Sequence, residues 1–314
     1  MTADPAFRED VLRGLAAPIP AIPARWLYDE RGSELFDAIT RLPSYYPTRT
    51  ETLLLERIMP EAAERIGPGR AVVEFGAGSL TKTPVLLRAI RPALYVPIDI
   101  SGDYLRAGAA ELAAKLPGLP IHPVEANFSN PIDLPAQAAS LPRLGFFPGS
   151  TIGNFVPASA TDLLRHFRRT LGTGGLLLIG MDRVKPAERL IAAYDEPEGV
   201  TAQFNLNLLH RINRELGGTV PTDAFRHEAR WNDTLARIEM HLVADRDVEF
   251  EVAGQPFRFA AGTSIHTENS HKYDLRSGRT LLMAGGWMPL TEWTDGAGDF
   301  ALVLAEAPPE RFAP

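Results

Sequence analysis

The spacing of hydrophobic positions changes character twice along the chain. Over residues 24–58, Leu35, Phe36 and Ile39 recur at helical spacing, with Ser33 as the expected N-cap. LPSYYP interrupts the pattern, and TRTETLLLERI restarts it as another helix. From residue 71, short apolar runs alternate with amphipathic stretches. AVVEF, ALYVPID, LPIHPVEA, LGFFPGS and GGLLLIGMD read as strands, and KTPVLLRAI, SGDYLRAGAAELAAKL and TDLLRHFRRTL as the helices between them. Such a βαβ series implies a mainly parallel sheet covered on both faces. The rhythm then shifts. Residues 186–217 read as mostly helical, TLARIEMHLVADRDVEFEV alternates in part like half-exposed strands, and PFRFAAGTSIHTENSHKYDL is extended. A final helix precedes MPLTEWTD and DFALVLAEA, two strands joined by a Gly-containing turn. The expected fold class is α/β: a doubly wound sheet with a terminal antiparallel hairpin, plus a second α+β lobe. The boundaries expected are 56–185 with 271–314 for the first domain, and 1–55 with 186–270 for the second lobe.

Composition narrows the chemistry. The chain has 314 residues, 45% of them hydrophobic and 23% charged, which is ordinary for a globular protein with a sizeable core. A net charge of −7 argues against a broad nucleic-acid surface. With no cysteine, disulfides, thiolate zinc sites and cysteine nucleophiles are excluded. No apolar run reaches the roughly 18 residues of a membrane span, and the start of the chain lacks a secretory pattern, so a cytoplasmic location is expected. His227-Glu228 lacks a second histidine at position 231, so no metal site is expected. No serine-hydrolase elbow surrounds Ser150.

The stretch VVEFGAGSLTKT invites three readings as a loop for an anionic ligand. It lacks the glycine before Lys82 that a P-loop needs, and the third glycine of a dinucleotide fingerprint. What remains, Glu74-x-Gly76-x-Gly78 at the end of a first strand, resembles motif I of class I S-adenosylmethionine (SAM) methyltransferases. Glycines let the backbone approach the methionine part of SAM, and a helix N-terminus favours its carboxylate. Asp99 ends the next strand, where an acid accepts ribose hydroxyls; the alternative is a cap on the helix that follows. Asn127-Phe128 follows the third strand, where ring and amide suit adenine; Phe128 read alone is more often a core residue.

YDERGSELFDAITRLPSYYPTRTE, EFGAGSLTKT, YVPIDIS, FFPGSTIGNF and IHTENSHKY, in that order along almost the whole chain, resemble the L-histidine Nα-methyltransferases of ergothioneine biosynthesis. The resemblance implies a Rossmann-like SAM-binding domain, a substrate lobe, and trimethylation of the α-amino group of free histidine to hercynine, with no obligate protein partner. It places Gly76, Gly78, Lys82, Asp99, Asn127 and Phe128 at the SAM site. Asn127 departs from the family's Asp, which removes a charge-assisted bond. It places Tyr45, Asn154 and Tyr194 on the amino and carboxylate groups of the amino acid, with Tyr45 and Asn154 as the catalytic pair that orients the amine. Tyr28, Gly149 and Thr151 fall at nearby pocket positions. Glu268 and Ser270 fall on the imidazole, with Met240 lining the side-chain pocket. Tyr45 and Tyr194 are expected to close on one ligand from separate lobes. Residues two apart on a strand share a face, so Glu268 and Ser270 suit the two imidazole nitrogens; the alternative is a solvated strand face. The readings kept open beside this one are a SAM-dependent N-methyltransferase of another amino acid or small amine, and a catalytically silent SAM-binding protein.

Overall fold

The computed structural model describes residues 4–309 apart from 79, 81 and 131. In chain order it contains α1 (Pro5–Leu15), α2 (Glu30–Ile39), α3 (Tyr46–Ile66), β1 (Ala71–Phe75), α4 (Thr83–Ile90), β2 (Leu94–Asp99), α5 (Gly102–Lys115), β3 (Val124–Glu125), β4 (Arg143–Phe147), α6 (Pro157–Leu171) and β5 (Leu176–Asp182). There follow α7 (Ala187–Ala192), α8 (Val200–Leu216), β6 (Phe225–Asn232), β7 (Arg237–Ala244), β8 (Val248–Val252), β9 (Gln255–Phe259), β10 (Ser264–His271), α9 (Leu275–Ala284), β11 (Met288–Thr294) and β12 (Phe300–Glu306). The chain divides into two compact units: Met1–Tyr46 with Lys185–His271, and Pro47–Val184 with Lys272–Pro314. The first break falls at Tyr46/Pro47 rather than at the expected residue 55, because the apolar stripe of α3 packs in the same core as β1, β2 and β4.

The second of these, the sheet unit, carries seven strands in the order β11-β12-β5-β4-β1-β2-β3. β1 pairs in parallel with both β2 and β4, and β4 with β5. β12 runs antiparallel to β5, and β11 to β12, which is the terminal hairpin the pattern predicted. The interior strands are buried along nearly their whole length, which explains their unbroken apolar runs. LPIHPVEA does not form a full strand. Only Val124–Glu125 and an isolated bridge at Ile121 pair with β2, because Pro120 and Pro123 lack an N–H and are confined to the sheet edge. The strand order reverses between β1 and β4, so the loops leaving their C-terminal ends diverge and open the crevice where doubly wound sheets bind ligands.

The other unit has an antiparallel sheet β10-β7-β6 and the separate hairpin β8–β9. α1, α2, α7 and α8 share its core, which holds Phe7, Leu35, Phe204, Leu208, Met240 and Ile265. The N-cap of α2 is Asp29, not Ser33; its Oδ1 accepts from the Gly32 N–H at 2.8 Å, and so the helix begins one turn earlier than expected. Among the described residues no helix is long and apolar enough to cross a membrane, and no group of three His, Cys, Asp or Glu side chains could hold a metal ion.

Candidate active site

In the sheet unit, the loop after β1 is built by backbone conformation. Gly76 has φ +75° and Gly78 φ +44°, values that side chains rarely tolerate, and a Cβ on Gly76 would stand 3.2 Å from the Phe128 ring. Positions 79 and 81 of this loop lie outside the described residues. Asp99 sits at the end of β2, part-exposed. Its Oδ2 accepts from the Gly78 N–H at 3.1 Å and its Oδ1 from the Ser101 N–H at 2.9 Å. Each carboxylate oxygen keeps a second lone pair for another donor, so Asp99 orders the turn and retains acceptors; it does not cap the following helix, whose N-cap is Ser101. Asn127 Oδ1 accepts from the Ser129 N–H at 2.9 Å. The carbonyl expected to meet adenine is thus already half used, in a turn an Asp would make equally well. Phe128 is half-buried, edge-on to Phe147 at 5.7 Å and Phe155 at 6.3 Å. A glycine pair at positive φ beneath a part-exposed ring, with an acid at the neighbouring strand end, is a cradle that fits an adenosyl sulfonium ligand.

Glu74, the acid of the glycine motif, faces the other way. It is buried and accepts from Tyr95 Oη at 2.6 Å and Thr83 Oγ1 at 2.8 Å. Burial pushes its carboxyl up to about 7, partly countered by those hydrogen bonds and by Lys82. Its work is structural, clamping β1, β2 and the first turn of α4. Lys82, at the N-cap of α4, is only 13% exposed and pairs with Glu51 of α3. Glu51 also accepts the Gly149 N–H, at 2.9 and 2.8 Å from its two oxygens. Gly149 has φ +80°, Ser150 φ +54°, and Thr151 Oγ1 donates to the Pro148 carbonyl at 2.9 Å. Asn154 closes the short 3-10 turn Thr151–Asn154.

The other unit gathers six of the expected residues. Glu268 and Ser270 lie on β10 and are 8% and 5% exposed, which removes the solvated-face alternative. Met240 stands opposite Glu268 in the β10–β7 register, itself buried. Tyr28 Oη donates to Glu268 Oε1 at 3.4 Å, and the Tyr194 and Ser270 hydroxyls share a hydrogen bond of 2.8 Å. Burial, then the negative charge of Glu268, raises the Tyr28 phenol well above its ordinary range, so it stays a donor. Tyr45 and Tyr194 belong to this same unit rather than to separate lobes; their rings meet edge-on at 5.9 Å. Of the adjacent tyrosines, Tyr46 is held beneath Lys185 and Arg189, while Tyr45 faces Phe36 and Tyr194. The result is an aromatic wall carrying hydroxyls and one carboxylate.

Sequence reasoning missed two supports. Glu51 carried a readable signal: it shares the helical stripe of Leu55, Ile58 and Ala62, all buried, so an acid there is a buried acid. His227 carried none. Its Nε2 bonds the Tyr194 carbonyl at 2.7 Å, while its Nδ1 meets the Asn205 amide at 2.9 Å. Asn205 Nδ2 also donates to the His241 carbonyl at 3.1 Å, which orients the amide so that His227 Nδ1 accepts and Nε2–H donates.

A Streptomyces caelestis methyltransferase structure, CcbJ, matches the fold with TM-score 0.50 and 14% identity, over 90% of this chain and all of that one. A histidine N-alpha-methyltransferase of Mycolicibacterium smegmatis is 41% identical over 97% of this chain and 96% of its own length. Ergothioneine biosynthesis protein 1 of Neurospora crassa is 28% identical over 88% of this chain and 32% of its own. The family model of SAM-dependent, histidine-specific methyltransferases matches residues 7–307. The chain belongs to that family of SAM-dependent histidine-specific methyltransferases.

Proposed function

We propose that the protein methylates the α-amino nitrogen of free L-histidine three times, giving hercynine for ergothioneine biosynthesis. One observation carries the choice of substrate: Glu268 and Ser270, buried on one strand with Met240 opposite, offer a carboxylate and an adaptable hydroxyl inside an aromatic wall. An imidazole needs just such a pair, one group to accept from its N–H and one to serve the other nitrogen. Tyr28 braces the carboxylate and Tyr194 braces the hydroxyl. An alternative substrate with no N–H at that position would bring no further donor to the buried Glu268 carboxylate, beyond the Tyr28 hydroxyl it already has.

Gly76 and Gly78 are assigned to the methionine part of SAM, Asp99 to its ribose, Asn127 and Phe128 to its adenine, and Lys82 to its carboxylate. When bound, SAM supplies a methyl group on a positively charged sulfur with a good leaving thioether. The protein's task is therefore alignment of a neutral amine rather than strong acid–base catalysis. α-Amino groups of model peptides have pKa values of about 7.7–8.0; the carboxylate of free histidine holds its amine above that range, so the site has to favour the neutral form. Tyr45 and Asn154 orient the lone pair, Tyr194 holds the amino acid backbone, and Gly149 and Thr151 line the reacting end. No general base is assigned; the released proton passes to water. The Tyr45 ring suits the growing ammonium through its π face.

Incubating the protein with L-histidine and SAM and weighing the product tests this. The expected product carries three added methyl groups on the α-nitrogen, located by fragmentation. Methyl groups on the imidazole, or turnover of tryptophan or a simple amine in preference to histidine, would overturn it.

A further inference from the structure

Glu51 ends the stretch YDERGSELFDAITRLPSYYPTRTE without an assigned role, yet it joins three pieces of the sheet unit. It is fully buried on α3. Its carboxylate pairs with the Lys82 ammonium at the start of α4 and takes the Gly149 N–H, in the loop leaving β4, with both oxygens. A Cβ on Gly180 of β5 would lie 2.2 Å from Glu51 Oε1, so the strand is kept bare to admit the carboxylate. The loops after β1 and β4, which diverge at the reversal of strand order, are thereby fastened to one anion.

We propose that Glu51 is a positioning and charge-balancing residue of the methyl-donor site. It fixes Lys82 and the Gly149 backbone, and it selects the cationic donor over the spent product. The inference rests on the assignment of Lys82 and the Gly76 loop to that site. SAM carries a positive sulfur; S-adenosylhomocysteine, the product, carries a neutral one and is otherwise alike. A lone ammonium at Lys82, 13% exposed, would repel the first and not the second. With Glu51 beside it the pair is neutral. A lysine has three donors, so those not bonded to Glu51 remain for the donor's carboxylate.

Calorimetric titration of both ligands into the wild type and four variants tests this. Glu51→Gln keeps an acceptor for the Gly149 N–H but removes the charge. It is expected to weaken SAM about tenfold and S-adenosylhomocysteine less than about threefold. Lys82→Met removes the opposite charge, so although both affinities fall, the preference is expected to move toward SAM. Glu51→Gln with Lys82→Met restores neutrality and should return the ratio to within about threefold of wild type. The double variant leaves no unpaired buried charge, so it keeps the test open if a single variant unfolds on thermal melting. Equal weakening of both ligands in Glu51→Gln, or a ratio that the double variant fails to restore, overturns the proposal for Glu51. If instead Lys82→Met and Gly76→Val both bind SAM as the wild type does, the location of the donor site itself is wrong.

Discussion

The loop region of the sheet unit and the aromatic wall of the other unit, proposed as the donor and histidine sites, are built in opposite ways. The loops use main chain: Gly76, Gly78 and Gly149 at positive φ, amides bonded by Asp99 and Glu51, and strand ends at a topological switch. The wall uses side chains: Tyr28, Tyr45, Tyr194, Met240, Glu268 and Ser270, drawn from five separated stretches of sequence and fixed by one another. A backbone site tolerates few substitutions at its glycines and reads a ligand common to many enzymes. A side-chain site can be retuned residue by residue, and it is where substrate choice within one fold resides.

The sharpest break in that contrast is Gly76→Val. A β-branched residue at φ +75° is strained, and its Cβ begins 3.2 Å from Phe128. SAM affinity is expected to fall roughly a hundredfold, from about 1–3 kcal/mol of strain plus a displaced ring, with histidine binding little changed. Next is Glu268→Ala. Removing a buried charged acceptor costs about 1.5–3 kcal/mol, or roughly ten- to a hundredfold in histidine affinity, with SAM affinity within about twofold. Calorimetry on each ligand separates the two. Equal losses for both ligands in Glu268→Ala would remove that residue from the imidazole.

Glu74 sharpens the comparison from another side, because it belongs to the glycine motif yet serves the fold. In the folded protein its carboxyl titrates near 7, against 4.5 for an ordinary glutamate, since burial penalises the charge. A raised folded value means its contribution to stability is full below about 4.5 and is lost as pH rises through about 7. Glu74→Gln does not titrate. The stability of wild type relative to Glu74→Gln should therefore decline between pH 5 and 7, by on the order of 2 kcal/mol, and level off above. Urea unfolding across that range measures it; a flat difference would mean that Glu74 is ionised throughout.

The same contrast governs what could be read from the chain. The parallel series was legible because buried strands must be apolar throughout, and the glycine loop because positive φ demands glycine near a strand end. The edge strand was over-read, since Pro120 and Pro123 deny it hydrogen bonds. The cap of α2 was misplaced by one turn, since Ser33 and Asp29 are both good caps and only packing chooses. The wall could be found only through resemblance to a family. Nothing in composition or period links Tyr28 to Glu268, or Tyr194 to Ser270; the bridge of Ala21 to His266 brings the first stretch to β10, and the His227 bond to the Tyr194 carbonyl ties the second to β6.

His227 gives the smallest and most discriminating effect. It touches the Tyr194 main chain and not its hydroxyl, so it acts by holding the residue that braces Ser270. His227→Phe removes the donor to the Tyr194 carbonyl and strands one amide hydrogen of Asn205, both in a buried setting. That should destabilise the fold by about 1–3 kcal/mol and raise the KM for histidine several-fold, leaving SAM affinity unchanged. His227→Gln can restore the Tyr194 bond, because its terminal amide reaches as far as Nε2, but it offers Asn205 no acceptor at the Nδ1 position. If His227 positions Tyr194, Gln recovers most of the histidine KM while recovering little of the stability. If the two quantities recover together, the residue is a packing element only, and the wall is held by its own hydroxyls.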